Sequence, residues 1–169
     1  MDTKTMIAAL DFTRNRLLGT LDTIEKTATE KSLDVQKVMG WRPGPGRAHI
    51  AWQAAHCAAT HDKYVNVTLL GHAAKNPALV ADFGGGSTPS DTYVPALADI
   101  RKKLSGAFTD FKAHIHSLDD AGLARSIPGP NNTQRTVVEA ILLLTWHEAH
   151  HQGQIHLTWN LYKAALGIG

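Results

Sequence analysis

From His147 to His156 the chain reads HEAHHQGQIH, four histidines in ten residues with a glutamate and two glutamines among them. Imidazole is the commonest side-chain ligand of transition metals. Two histidines four apart on a helix project from neighbouring turns and can share one ion. The chain holds ten histidines in all, and seven of them fall within His49–His61 and His147–His156. Placement that uneven asks for a chemical reason.

Helical rotation says which of them can cooperate. With about 100° per residue, His151 lies about 40° from His147, and Gln154 about 20° to the other side. His150 is about 60° off on that side, Glu148 about 100° away, and His156 points nearly opposite. Val137, Ala140, Leu144, His147, His151, Gln154, Thr158 and Leu161 form a stripe with three-four spacing, which predicts that His147 and His151 face inward. Buried imidazoles cost free energy unless each finds partners. A single inward histidine reads most simply as a bonded core residue, whereas two at ligand spacing point to a metal. Two ligands on one helix hold an ion incompletely, so a third is expected from elsewhere.

The segment AHIAWQAAHCAATHDKY offers His49, His56 and His61. His56 is central and shares an approximate face with His49, Trp52 and Thr60, while His61 is rotated from it by about 140°. Rotation favours His56 but leaves His49 open. Cys57, the only cysteine, reads as a small packing residue; one thiol forms no disulfide within the chain.

A competing motif overlaps the same residues. His147-Glu148-Ala149-His150-His151 satisfies H-E-x-x-H, the zinc-peptidase pattern in which the glutamate is the general base. The extended form of that motif needs a glycine and a histidine further on, and here Gly153 and His156 each arrive one residue early. No acidic residue follows Glu148 to serve as the alternative third ligand. The peptidase reading is therefore the weaker one. Glu148 is expected to be solvated or to support a ligand histidine from outside.

The elements that carry these residues are helices. Gly and Pro punctuation divides the chain into four amphipathic blocks: Thr5 to Ala28, Ala48 to Ala74, Thr92 to Leu118, and one following IPGPNNTQR that runs to Leu166 before Gly167. Met6, Leu10, Leu17, Leu21 and Ile24 mark the first. Leu97, Ile100, Leu104, Phe108, Phe111, Ile115 and Leu118 give the third the spacing of a bundle seam, with Pro95 tolerated in its first turn. Thr136 and Glu139 form a capping-box signature at the start of the fourth. Strand signals are nearly absent. The expected fold is all-α, a four-helix bundle in one domain over residues 1–169, with a long Gly/Pro-rich connection (NPALVADFGGGSTPS and its flanks) between helices 2 and 3. That connection could carry either a crossover or a site loop.

Composition excludes several classes. A net charge of +2 gives no footprint for nucleic acid or an anionic membrane. No apolar run approaches the length of a membrane span, and the polar N-terminus does not read as a signal peptide. A cytoplasmic protein is expected.

Taken together, W-x-P, the AHIAWQAAHCAATH block and the TVVEA…WHEAHHQGQI block resemble the DinB/YfiT-like four-helix-bundle metalloproteins over nearly the whole chain. The resemblance implies that His56, His147 and His151 bind the metal. His61 departs from it, standing where relatives often place an acidic residue. It also implies two chemistries: a thiol-dependent S-transferase or isomerase that activates a low-molecular-weight thiol, or a hydrolase that activates water. A homodimer is implied as well. Three neutral imidazoles would leave an ion's charge uncompensated and positions open, the character of a catalytic site. Zn²⁺ is the first expectation, with Ni²⁺, Fe²⁺ or Mn²⁺ as alternatives. Glu148 and Gln154 could support the site. Trp52, Trp146 and Tyr64 could wall a pocket for a small-molecule substrate, or simply pack the core. The non-enzymatic alternative is a bundle that binds metal or ligand without catalysis.

Overall fold

The structure is a computed structural model, described over residues 2–129 and 132–168. Pro130 and Asn131 of the IPGPNNTQR stretch lie outside the described residues. Four helices form the bundle: α1 (Thr3–Glu30), α3 (Ile50–Asp62), α5 (Leu97–His116) and α7 (Val137–Leu166). Three short helices, α2 (Val35–Gly40), α4 (Pro77–Phe83) and α6 (Asp120–Ala124), sit in the connections. The all-α expectation holds. Ser126–Pro128 (β1) and Gln134–Thr136 (β2) add one small antiparallel pair, with Ile127 opposite Arg135, in the stretch that carries almost no strand signal.

Helices α1 and α5 bury the residues their spacing predicts. Met6, Leu10, Leu17, Leu21 and Ile24 are buried on α1, and Leu97 through Ile115 form the α5 seam. The α5 helix starts later than expected: Ala96 is its N-cap, so Pro95 precedes the helix instead of occupying its first turn. The α7 capping box is present, with Thr136 and Glu139 bonding each other's backbone. Gly167 closes the helix at φ 66°, a left-handed conformation in which glycine carries no steric penalty. His49 caps α3, its Nδ1 accepting from Trp52 N at 3.0 Å. After Asp62 the helix widens into a π-helical segment, Lys63–Leu69. Such segments are uncommon and often lie beside functional sites.

Packing sets the topology. The α1 helix lies against α7, and α3 lies between α5 and α7. Helices α3 and α5 are neighbours and run parallel, Ile50 and Ala54 packing with Leu97 and Ile100 at one end and His61 with Phe108 and Phe111 at the other. The long connection joining them is therefore a crossover. On its way back it forms a wall over α3, with α4 packed against that helix. Gly84 ends α4 in a spot only glycine fits, since a Cβ there would stand 2.3 Å from the Val80 carbonyl oxygen. The tight stop places the neighbouring Phe83 carbonyl over α3.

Two apolar clusters make up the core. One gathers Leu17, Leu21 and Ile24 with Ile50, Ala54 and Ile155; the other gathers Met6 and Leu10 with Phe111, Ile141 and Leu144. Arg14, His61 and Glu148 form a buried polar layer at the junction. The Arg14 guanidinium bonds both Glu148 oxygens, at 2.5 and 2.8 Å, and the Leu104 carbonyl at 2.5 Å. Its Nη2, which also bonds Glu148 Oε2, lies 3.3 Å from His61 Nδ1 and completes a link among all four bundle helices.

Candidate metal centre

His56, His147 and His151 converge. One ring nitrogen from each lies within 4.8 Å of the other two, a cluster that can hold a metal ion. His56 Nε2 and His147 Nε2 stand 3.0 Å apart. Two nitrogens bound to one ion at about 2.0–2.1 Å would be separated by roughly 2.9–3.4 Å, so the spacing fits. His56 and His151 are buried and His147 is half-buried, at the edge of a cavity.

Neighbours fix which nitrogens face the cluster. His56 Nδ1 lies 2.5 Å from the Phe83 carbonyl, which can only accept, so Nδ1 carries the proton and Nε2 a free lone pair. His151 Nδ1 likewise donates to Gln53 Oε1, leaving its Nε2 for the cluster. Burial acts in the same direction. It is the main cause holding His147 and His151 down at about 3, with neighbouring histidines adding to it, and it lowers His56 as well. All three rings are therefore neutral at physiological pH, the form that binds metal. His147 Nδ1 is buried without a partner among the described residues, so this ring is the least constrained of the three.

Gln53 was not singled out by its type or position, yet it orients His151. Removing such an outer partner typically weakens metal affinity by about 10–100-fold. Gln53→Ala is expected to fall in that range in competition titrations against a zinc chelator. An unchanged affinity would show that Gln53 does not orient the ligand.

The pH dependence has a definite sign. In the unfolded chain these imidazoles titrate near 6.5, whereas His147 and His151 stay neutral in the folded protein down to about 3. The unfolded state thus takes up protons first as pH falls. The metal-free protein should hold its full contribution above 6.5 and lose it progressively between 6.5 and about 3. Urea midpoints of chelator-treated protein at pH 7.5 and 5 check this, and His147→Gln should flatten the decline.

The other candidates take different places. His49 caps α3 and lies outside the cluster. His61 is fully buried in the polar layer, 3.3 Å from a Glu148 oxygen and packed against Phe111, and burial holds its pKa well below the usual value. Glu148 is neither solvated nor bonded to a cluster histidine: both its oxygens accept from Arg14. Its burial in that pair argues against the peptidase role, which requires a carboxylate facing the open site. Gln154 bonds exposed His150 at 2.9 Å. Trp52 stacks on His56 at 4.7 Å, Tyr64 lines the cavity, and Trp146 is exposed against His150. Cys57 is buried in the core, and burial raises its pKa.

The cluster opens on a cavity of about 610 Å³, lined by His56, His147, Thr60, Tyr64, Leu144 and the backbone turn at Gly84 and Gly85. Its size is ordinary for a small-molecule site. No helix among the described residues is long and apolar enough to cross a membrane.

Comparison with known proteins agrees with this architecture. A family model described as the DinB superfamily matches residues 9–155. Among solved structures, the crystal structure of a conserved protein from Enterococcus faecalis matches with a TM-score of 0.73, at 15% identity, over 95% of this chain and 97% of that one. At that identity the likeness is one of fold. No curated protein sequence matches.

Proposed function

The chain belongs to the DinB superfamily, and from that membership and the histidine cluster we propose that it is a metal-dependent enzyme acting on a small molecule through a low-molecular-weight thiol. The observation that carries this reading is the convergence of three neutral imidazoles, two with fixed tautomers, beside a half-open cavity. A divalent ion held there, Zn²⁺ before Ni²⁺, Fe²⁺ or Mn²⁺, would supply Lewis acidity to a thiol, a water or a carbonyl.

The chain's own residues favour the thiol branch over hydrolysis. Among the described residues no Asp or Glu lines the cavity, so none of them offers a carboxylate there to take a proton from water. A thiol titrates near 8.5 and needs far less help to ionise. His56, His147 and His151 would hold the ion, Gln53 and the Phe83 carbonyl would orient two of them, and Tyr64 and Thr60 offer hydroxyls to a substrate. Leu143, Leu144 and Val67 give one wall an apolar face.

The test is a panel. Metal-loaded protein is offered thiols with an electrophilic acceptor, and in parallel ester and amide substrates, with His151→Ala as the control. Thiol consumption that depends on His151 supports the transferase or isomerase reading. Turnover of esters or amides alone would move the assignment to a hydrolase. Silence on every panel with metal bound would favour a non-catalytic binding bundle.

A further inference from the structure

One charge in the cavity is unanswered. Lys63 lines it, and none of the ion pairs among the described residues includes Lys63. Its helical neighbours at the spacings that usually supply a counter-ion are Ala59, Thr60, Asn66 and Val67, none of them acidic. Among the described residues the cavity wall contributes no carboxylate either. Glu148, next to His147 in the chain, is taken up by Arg14 behind the cluster. A divalent ion on three neutral imidazoles would add its whole positive charge to the same space. A pocket of one sign with apolar walls concentrates its field on the ligand. Such a pocket selects an anion and repels a cation.

Geometry sets the ligand's length. Lys63 follows His56 by seven residues on the same helix, so the two lie roughly 10 Å apart along its axis. Val67, Leu143, Leu144 and Pro128 give the cavity an apolar lining. We propose that the cavity takes a small molecule bearing a carboxylate at one end, received by Lys63, with a short apolar middle and its reacting atom at the histidine cluster. Lys63 is then a specificity-determining residue. The inference rests on the metal-site reading above.

Three probes of equal length separate the possibilities: 6-mercaptohexanoate, 6-mercaptohexanol and 6-aminohexanethiol. Each is titrated into Co²⁺-loaded protein, and the thiolate-to-cobalt absorption band reports binding. The acid should bind at least about tenfold more tightly than the alcohol, as a charge-assisted contact predicts, and the amine most weakly. In Lys63→Gln the acid-to-alcohol ratio should fall to about one, while Lys63→Arg should keep a preference for the acid. Lys63 is exposed, so neither substitution disturbs the core. Equal binding of acid and alcohol, or a preference that survives in Lys63→Gln, overturns the inference and leaves the metal site standing. Cobalt bound with no response to any thiol also overturns it, and removes the thiol branch of the proposed function. Failure of the protein to bind Co²⁺ at all sinks the metal reading itself, and this inference with it.

Discussion

His151→Ala is expected to reduce bound divalent metal from about one ion per chain to near zero, because two imidazoles from different helices rarely retain an ion that three hold with a position open. His56→Ala and His147→Ala should behave alike. The contrast is supplied by the other histidines of the same segment. His150 and His156 are exposed and outside the cluster, so His150→Ala and His156→Ala should keep their metal. Elemental analysis of purified, dialysed proteins reads all five, with far-ultraviolet circular dichroism confirming that each is folded. Retention in His151→Ala together with loss in His150→Ala would relocate the site to the helix surface.

The largest loss of stability is expected at the polar layer. Arg14 and Glu148 are almost fully buried and bonded through two nitrogens and two oxygens. Removing one partner of such a pair leaves an uncompensated buried charge, at a cost of about 3–5 kcal/mol. For a chain of this size that corresponds to a drop in Tm of about 6–20 °C. Glu148→Ala and Arg14→Ala should each show it by calorimetry. The double replacement Arg14→Met/Glu148→Leu should recover most of the loss, since an apolar pair of similar volume leaves no stranded charge. The exposed pair Lys75–Asp110, 2.7 Å apart, is the comparison, and Lys75→Ala should cost less than about 1 kcal/mol. Similar losses at both pairs would mean that the buried layer has no special weight.

Much of this was legible in the chain, and the illegible part has a common cause. Seam spacing on α1 and α5 and the Thr136–Glu139 cap are local patterns, and the structure carries them where the sequence puts them. The i, i+4 relation of His147 and His151 is equally local. The α7 stripe, however, is read too far toward one side: Leu161 is exposed, while Ile141, Glu148, Ile155 and Trp159 are buried. Counting Glu148 as polar, and hence outward, displaces the inferred face. Its burial depends on Arg14, 134 positions away, and no periodicity reports a pairing of that range. Gln53 and the Phe83 carbonyl are hidden for the same reason. Each matters only because another helix brings a histidine to it. The choice of His56 over His49 needed resemblance, because both occupy about the same face and only the capping bond of His49 distinguishes them.

The span between His56 and His147 carries a consequence for the folding of the chain. Their ring nitrogens meet across 91 positions of sequence. An ion grasped by both would act as a removable stitch between the two halves of the polypeptide, closing a loop whose chain entropy, by the relation used for cross-links, is worth about 4–5 kcal/mol. Chelation would then loosen the whole molecule, from its first helix to its last, and a fragment ending before α7 would have nothing to fasten.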